Sequence, residues 1–305
     1  MIYEGKSLYI VCGGVIMEGN ENYKTAYAAA YARLIEQHEP TETRLFNDTF
    51  VKNFFSKYIN SIMRFGAIRK FMISMYNSTS IGLYGLQVCR TKYIDEKLKE
   101  AIDNGVEQVV ILGAGLDTRL YRMLDSDRVV GFEIDLPIIQ NEKKNIMSKC
   151  LGKLPNNINF IPIDFNTQTL DEVLEIKEFD FSKPIFFIWE GVTQYITQEA
   201  VENTLKFISK ASYGSALVFT YVLKGVIDGT ESKLGAEALT TLFKAGGEPW
   251  SFGLNPSEVD SFIKQYNLKL IENVDMSYYE ENYLKGINRK LHVSPIERVV
   301  YAELI

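Results

Sequence analysis

Polar or glycine residues follow four predicted buried strands, at the point where each strand ends. The predicted strands and the residues that end them are 108–112 with Gly113-Ala114-Gly115-Leu116-Asp117-Thr118, 128–133 with Glu133-Ile134-Asp135, 158–163 with Asp164-Phe165, and 184–190 with Glu190-Gly191. Open α/β sheets bind ligands at the carboxyl ends of their strands. We therefore expect these residues to lie together at one site.

The first two strand ends are typical of a nucleoside site. Glycines let the backbone of the 113–115 turn approach a ligand closely, and an acidic residue about 20 residues further on commonly holds a ribose diol. Asp135 lies 20 residues and Glu133 18 residues after the second glycine. Both side chains face the same way on a strand and only one is expected to reach the ribose, so we favour Asp135. Asp164 suits an adenine amino group, with the Phe165 ring beside the base.

Two cofactor classes fit a glycine turn followed by a ribose acid. A dinucleotide site has a third small residue in the turn and a pyrophosphate at the helix N-terminus. Here Thr118 occupies that third position, and Asp117 adds a negative charge where the pyrophosphate would lie. S-adenosylmethionine carries no phosphate, and its ammonium and sulfonium are attracted to carboxylates such as Asp117 and Glu190. The charges favour S-adenosylmethionine over NAD, although Asp117 and Thr118 also suit a helix cap.

Alternating strands and helices must position these residues. Predicted helices span 22–38, 86–104 (closed by Gly105), 137–150, 197–211 and 256–266, and further strands span 215–222, 268–274 and 297–304. This alternation predicts a mostly parallel sheet with helices on both faces. Aromatic-rich segments between residues 46 and 76 predict short helices packed as a cap. A glycine-rich stretch, 224–255, breaks the alternation and contains a predicted helix at 234–243.

The composition excludes several classes of protein. The chain has 305 residues and a net charge of −6, which disfavours a nucleic-acid binder. Its three cysteines, Cys12, Cys89 and Cys150, are widely spaced, so we expect reduced thiols, neither a disulfide framework nor a metal site. No apolar run is long enough to span a bilayer. We expect a cytoplasmic protein with no metal, nucleic-acid or membrane partner, and the oligomeric state is left open.

The sequence resembles the leucine carboxyl methyltransferase-like O-methyltransferases. The matching residues run in order along the chain and are Thr25 to His38, Asn47-Asp48, Arg90-Thr91, Asp95, Gly113 to Arg119, Phe132 to Pro137, Asp164, Glu190-Gly191 and Tyr195. The resemblance implies a Rossmann-like class I methyltransferase fold with a mostly parallel seven-stranded sheet. We expect one domain, with an N-terminal extension and helical lid over 1–85, a core over 86–305, and an insertion over 224–255, after the fifth strand.

The strand-end pattern and the resemblance together give a set of candidate site residues. The candidates for binding S-adenosylmethionine are Arg90, Gly113, Ala114, Gly115, Asp117, Glu133, Asp135, Asp164, Phe165 and Glu190. By the resemblance, Arg90 would pair with the cofactor carboxylate and Glu190 would lie near the amino group and the methyl-transfer centre. Glu190 and Tyr195 are the candidate catalytic residues. A buried Glu190 also needs a cationic ligand or an arginine partner.

We therefore predict methyl transfer to a carboxylate or hydroxyl oxygen of a small molecule, leaving S-adenosylhomocysteine. A carboxylate acceptor needs no general base, and the sequence shows no obvious base. The aromatic-rich cap suits an aromatic or apolar acceptor. The alternatives are a protein C-terminal carboxylate as acceptor, an S-adenosylmethionine-binding protein without catalysis, and an NAD-dependent oxidoreductase.

Overall fold

A computed structural model gives the structure of the chain, and it describes residues 7–11, 15–19, 24–78, 80–124, 128–174, 179–231, 236–245 and 249–305. An antiparallel hairpin, β1 (Ser7–Val11) and β2 (Val15–Gly19), comes first. Cys12, the start of the predicted helix at 22–38 and the start of the predicted helix at 234–243 lie outside the described residues. Cys89 and Cys150 carry free thiols.

A seven-stranded sheet forms the centre of the molecule. Its strands are β3 (Gln108–Leu112), β4 (Val130–Asp135), β5 (Ile158–Pro162), β6 (Ile185–Trp189), β7 (Ala216–Val222), β8 (Leu268–Val274) and β9 (Glu297–Leu304). The order is β5-β4-β3-β6-β7-β9-β8, and only β9 runs antiparallel to its neighbours. The predicted mostly parallel seven-stranded sheet is confirmed, and each predicted strand lies within two residues of its observed bounds.

The strand order reverses beside β3. From β3 the chain builds β4 and β5 on one side, then returns to place β6 on the other side. Connections leave β3 and β6 in opposite directions at this point, which opens a crevice at the carboxyl ends of the strands. The four predicted strand ends all border this crevice.

Helices cover both faces of the sheet. They are α1 (Lys24–Gln37), α2 (Lys57–Ile62), α3 (Gly66–Tyr76), α4 (Leu83–Asp103), α5 (Arg119–Arg122), α6 (Pro137–Leu151), α7 (Leu170–Val173), α8 (Gln198–Ile208), α9 (Lys224–Ile227), α10 (Ala236–Ala245), α11 (Val259–Lys264) and α12 (Met276–Tyr279). Local sequence sets several of these ends. Pro137 opens α6, and the Thr197 side chain caps α8 by accepting a hydrogen bond from Ala200 N at 3.2 Å.

The first helix is joined to the glycine turn by a buried arginine. Arg33 of α1 donates to the Leu116 carbonyl at 2.7 Å and pairs with Asp48 at 2.7 Å. The Tyr76 hydroxyl at the end of α3 donates to the Ala28 carbonyl at 3.2 Å. These contacts hold α1 and α3 as a cap over the carboxyl ends of the strands. No helix of the described residues is long and apolar enough to cross a membrane.

The glycine-rich stretch at 224–255 leaves the sheet and returns to it at one place. Leu254 N donates to the Val222 carbonyl and Lys224 N donates to the Leu254 carbonyl, both at 3.1 Å. The excursion is therefore closed at its base and carries the described helices α9 and α10. Trp250 and Ser251, near its end, face the crevice.

Candidate cofactor site

A cavity of about 700 Å³ lies between the carboxyl ends of the strands and the cap helices. This volume is within the range of small-molecule and cofactor sites. The predicted site residues that line it are Arg90, Gly113, Gly115, Asp117, Asp135, Asp164, Phe165, Glu190 and Tyr195. Ala114 and Glu133, also predicted, are buried and do not line it. Tertiary structure thus brings nine of the predicted residues to one cavity.

The glycine turn after β3 is held against the end of β4. Gly113 N donates to the Ile134 carbonyl at 2.8 Å, and Gly115 N donates to the Asp135 carboxylate. Burial raises the pKa of Asp135, although the hydrogen bonds from Gly115 and Leu136 oppose that rise. The carboxylate is therefore fixed at the cavity wall by backbone groups, with its position set by the turn.

We expect Gly113→Ala to destabilise the fold by about 3 kcal/mol, because two penalties combine there. Gly113 has φ +67°, and an added Cβ would lie 2.2 Å from Cγ2 of Val192. Gly105→Ala is a matched control, since Gly105 has φ +92° with nothing within 4 Å of an added Cβ, and should cost about 1 kcal/mol. Urea unfolding measures both. Adding Val192→Ala should recover part of the Gly113→Ala loss, and equal losses in the two alanine variants would contradict the close contact.

Arg90 is buried between two carboxylates. Its Nε lies 2.7 Å from Glu190 Oε1, and its Nη1 lies 2.7 Å and 3.0 Å from the two oxygens of Glu297. Burial disfavours the charged guanidinium, but Glu297 and Glu190 outweigh it and raise the pKa of Arg90. The arginine partner expected for Glu190 is confirmed.

Arg119 extends this network on the other side of Glu190. Its side chain pairs with Glu190 Oε2 at 2.6 Å, with Asp95 at 2.7 Å, and with Asp117. Asp117 also accepts a hydrogen bond from Arg119 N, at the first residue of α5, at 2.6 Å, and it lines the cavity. Burial alone would raise the pKa of Asp117, but Arg119 and Arg33 lower it to about 2. Burial likewise opposes ionisation of Glu190, and the two flanking arginines lower its pKa.

The connected network carries one net negative charge. Arg122 completes it by pairing with Asp95 at 2.6 Å. Its members are the guanidinium groups of Arg90, Arg119 and Arg122 and the carboxylates of Asp95, Asp117, Glu190 and Glu297. Three positive and four negative groups leave a site that attracts a cation and repels a pyrophosphate. S-adenosylmethionine, with two cationic groups and one carboxylate, fits this charge.

Sequence reasoning gave no role to Glu297, Arg119 or Asp95 at the site. Arg119 and Asp95 were part of the family resemblance, and Glu297 was only the first residue of a closing strand. Because β9 is antiparallel, its first residue lies at the same edge as the carboxyl ends of the other strands, opposite Val222. The sequence signal for Glu297 is a glutamate at the start of the final strand. That signal predicts a site residue only if the final strand is known to run antiparallel to the others.

Glu133 lies deeper in the sheet than the cavity and does not line it. Its side chain is completely buried, and its Oε1 lies 2.7 Å from Lys143 Nζ. The two groups form an ion pair, but their angles are not those of a hydrogen bond. Burial raises the pKa of Glu133 to about 7, although Lys143 opposes that rise. A residue two positions earlier on a strand lies roughly 6.6 Å deeper in the sheet. Glu133 therefore faces α6, and Asp135 reaches the cavity.

The remainder of the cavity is largely apolar. The cap helices, the strand ends and the excursion contribute Tyr76, Leu83, Leu86, Val222, Leu239, Trp250 and Ile296 to its wall. Tyr195 packs edge-on against Trp250 with ring centroids 6.4 Å apart. Ser251 N donates to the Gln194 carbonyl at 2.7 Å, which fixes the excursion to the turn after β6.

Solved structures with this fold include two bacterial proteins. One is a provisionally named methyltransferase from Thermobifida fusca, with a TM-score of 0.55 and 18% identity over 79% of this chain and 89% of that chain. The other is a DUF574 family protein from Streptomyces avermitilis, with a TM-score of 0.57 and 12% identity over 90% and 97%. At these identities they show the fold alone. The mostly parallel seven-stranded sheet with helices on both faces is the fold of class I S-adenosylmethionine-dependent methyltransferases.

Sequence comparisons give the family. The leucine carboxyl methyltransferase model matches residues 26–209, more than half of the chain, and the chain belongs to that family. Bacillus subtilis YktD, provisionally named an S-adenosyl-L-methionine-dependent methyltransferase, is 27% identical over 95% of this chain and 99% of its own length. A Mycolicibacterium smegmatis protein with a similar provisional name is 32% identical, over 56% of each chain. The resemblance seen in the sequence is confirmed.

Proposed function

We propose that the enzyme transfers the methyl group of S-adenosylmethionine to an oxygen atom of a small molecule, most favourably a carboxylate or an acidic hydroxyl. The observation that carries this proposal is the division of one cavity into two parts. A negatively charged part lies at the strand ends, and an apolar part lies between the cap and the excursion. The first suits a cationic nucleoside, and the second suits an aromatic or apolar acceptor.

The charged part would hold the cofactor along the strand ends. Asp135 would accept hydrogen bonds from the ribose hydroxyls, and Asp164 with Phe165 would contact adenine. The backbone at Gly113 to Gly115 would line the methionine portion. We assign no direct contact to Ala114 or Glu133, because neither lines the cavity. Glu133 would act by holding Lys143 and the end of β4 in place.

The arginine network would bind the amino acid end of the cofactor. Glu190 and Asp117 stay ionised beside the cavity and would attract the ammonium. Arg90 is fully neutralised by Glu190 and Glu297, so its role toward the cofactor carboxylate would be a hydrogen bond more than a net charge. Glu190 therefore orients the cofactor and does not act as a base.

S-adenosylmethionine supplies an electrophilic methyl group on its sulfonium, so the protein has mainly to align the acceptor oxygen and exclude water. The residues that line the cavity in the described part of the chain include no histidine and no lysine. Both Glu190 oxygens are engaged by arginines, which makes this carboxylate a poor proton acceptor. An acceptor that is already an anion at neutral pH fits such a site. Tyr195 would shape the boundary between cofactor and acceptor.

Calorimetry and a product assay test this function separately. We expect S-adenosylmethionine and S-adenosylhomocysteine to bind and NAD to bind far more weakly, since its pyrophosphate would face Asp117. Transfer of a labelled methyl group should then be measured on aromatic carboxylic acids, acidic phenols, alkyl amines and peptides with a free C-terminus. Ester or ether products support the proposal. Methylated amines or peptides would overturn the acceptor class, and tight NAD binding without adenosyl binding would overturn the cofactor.

A further inference from the structure

The outer side of the cap carries a surface that the methyl-transfer site does not use. It is formed by α2, α3 and the turn between them. Its members, which we call the basic aromatic face, are Lys57, Tyr58, Arg64, Phe65, Lys70 and Phe71. All six side chains are exposed, and positive and aromatic residues occur in adjacent pairs. Such a composition suits a partner with both negative charge and apolar material.

The aromatic residues of this face are unusually exposed for their size. Tyr58 is 72% exposed, Phe65 64% and Phe71 61%. The exposed positions of α3 are residues 67, 70, 71 and 74, which fall on one side of a helix, whereas Met72 and Tyr76 on the other side are buried. The chain therefore keeps a buried inner face on α3 and leaves large rings on its outer face. Exposed apolar surface rimmed by polar residues is typical of an interaction site.

The charge of this region opposes that of the chain. Residues 49 to 94 contain no aspartate or glutamate, although the chain has 39 acidic residues and a net charge of −6. Lys57, Arg64 and Lys70 form no ion pair with any residue whose side chain the structure describes. Among the side chains that the structure describes, no carboxylate pairs with these three cations, so this region presents positive charge.

A buried arginine holds the face in a fixed shape. Arg69 donates to the carbonyls of Met63 and Arg64 at 3.0 and 3.1 Å, and its Nε pairs with Glu39 at 3.0 Å. These bonds fix the turn between α2 and α3 to the body of the cap. Arg64 and Phe65 are therefore presented on a rigid turn, and little ordering entropy is lost when they dock.

We propose that the basic aromatic face docks the enzyme on the surface of a bilayer that contains anionic phospholipids. Aromatic rings insert at the boundary between headgroups and acyl chains, while lysine and arginine contact the phosphates. A second copy of the chain fits less well, since a two-fold contact through this face would bring like charges together. The sequence predicts no membrane partner because no apolar run is long enough to span a bilayer, and that criterion does not detect a basic surface that binds at the lipid headgroups.

Docking through this face would bring the cavity close to the lipid surface. Tyr76, the last residue of α3, lines the apolar part of the cavity, on the same helix as Lys70 and Phe71. Docking on a bilayer requires neither a particular acceptor nor methyl transfer. Docking sets where the enzyme is held, and vesicle binding alone measures it.

Vesicle cosedimentation of the full chain tests the proposal. The probes are phosphatidylcholine vesicles with and without phosphatidylglycerol, at low and at physiological salt. We expect binding to the anionic vesicles only, weakened by salt. Each cation beside an anionic surface contributes about fivefold to partitioning, so K57Q/R64Q/K70Q should bind on the order of 100-fold more weakly. Y58S/F65S/F71S should also bind more weakly, but its residual binding should remain sensitive to salt because the three cations are still present.

The matched control is K153Q/K264Q/K269Q, which removes three exposed lysines elsewhere on the chain and should keep wild-type vesicle binding. Thermal melting and S-adenosylhomocysteine binding of every variant confirm that the fold is intact. Absence of binding to anionic vesicles at low salt would overturn the proposal. Equal binding to neutral vesicles, or equal losses in the two glutamine triples, would also overturn it. If the wild type self-associates but does not bind vesicles, and Y58S/F65S/F71S abolishes the self-association, the proposal is overturned. The face is then a contact between copies of the chain.

Discussion

Asp135→Ala should weaken the binding of S-adenosylmethionine and of S-adenosylhomocysteine by the same factor, roughly 100-fold or more. Hydrogen bonds to a charged group contribute about 1.5–3 kcal/mol each, and the ribose would lose two of them. Asp135 is the acidic residue at the end of β4 that lines the cavity, and its carboxylate is fixed by Gly115 N. The ribose is common to both ligands, so their ratio of affinities should not change. Calorimetry with each ligand gives the two factors.

Two variants make this result specific. Asp135→Asn keeps the size of the side chain and should bind the ligands with an intermediate affinity. Asp260→Ala removes an exposed aspartate of α11 and should bind them as the wild type does. If Asp135→Ala melts normally and keeps its affinity for both ligands, the ribose assignment is wrong while the proposed reaction could still stand. A loss confined to S-adenosylmethionine would place Asp135 near the sulfonium instead.

Arg119→Met should lower the free energy of unfolding by about 3–5 kcal/mol and abolish cofactor binding in the folded fraction. The side chain is 2% exposed and pairs with Asp95, Asp117 and Glu190. Removing the guanidinium leaves these three carboxylates close together with fewer positive charges to neutralise them. Breaking a buried ion pair costs about 3–5 kcal/mol because the remaining charge stays buried away from water. Urea unfolding measures the loss, and S-adenosylhomocysteine calorimetry measures binding.

Arg298→Met is the matched control for this prediction. Arg298 also pairs with a carboxylate, Asp275 at 2.8 Å, but both side chains are partly exposed. Exposed pairs contribute about 0–1 kcal/mol, so this variant should unfold nearly as the wild type does. The double variant Arg119→Met with Glu190→Gln should lose less than the sum of the two single changes, because one uncompensated charge is removed. Equal stabilities of Arg119→Met and Arg298→Met would contradict the role of the network.

Local sequence was sufficient for the elements of the core. Continuous β-branched and aromatic runs such as 108–112 and 184–190 can only be buried on both faces, and Pro137 and Gly105 mark helix ends by their backbone restrictions. These signals depend on neighbouring residues alone. They place all seven strands of the sheet within two residues. The helix at 256–266 is shorter than predicted, at Val259–Lys264, because three turn-forming residues precede it.

The sequence predicted a site residue wherever a parallel strand ends in a carboxylate side chain. Asp135, Asp164 and Glu190 each end a parallel strand, and parallel strands bring their carboxyl ends to the same edge. The sequence favoured Asp135 over Glu133, although both side chains point to the same face of the strand. In the structure Asp135 lines the cavity, whereas Glu133 lies deeper along β4 and pairs with Lys143 of α6.

The sequence by itself determined the fold class, the family and the strand ends that border the cavity, since strand length, apolar runs and glycine turns are local properties. Only the tertiary structure decided which charges meet. Arg90 and Glu297 are 207 residues apart in the chain and 2.7 Å apart in space. Their pairing depends on β9 running antiparallel beside β7, and strand order and direction arise from long-range packing that no local pattern encodes. For the same reason, the apolar part of the cavity became visible only when the cap and the excursion were placed over the sheet.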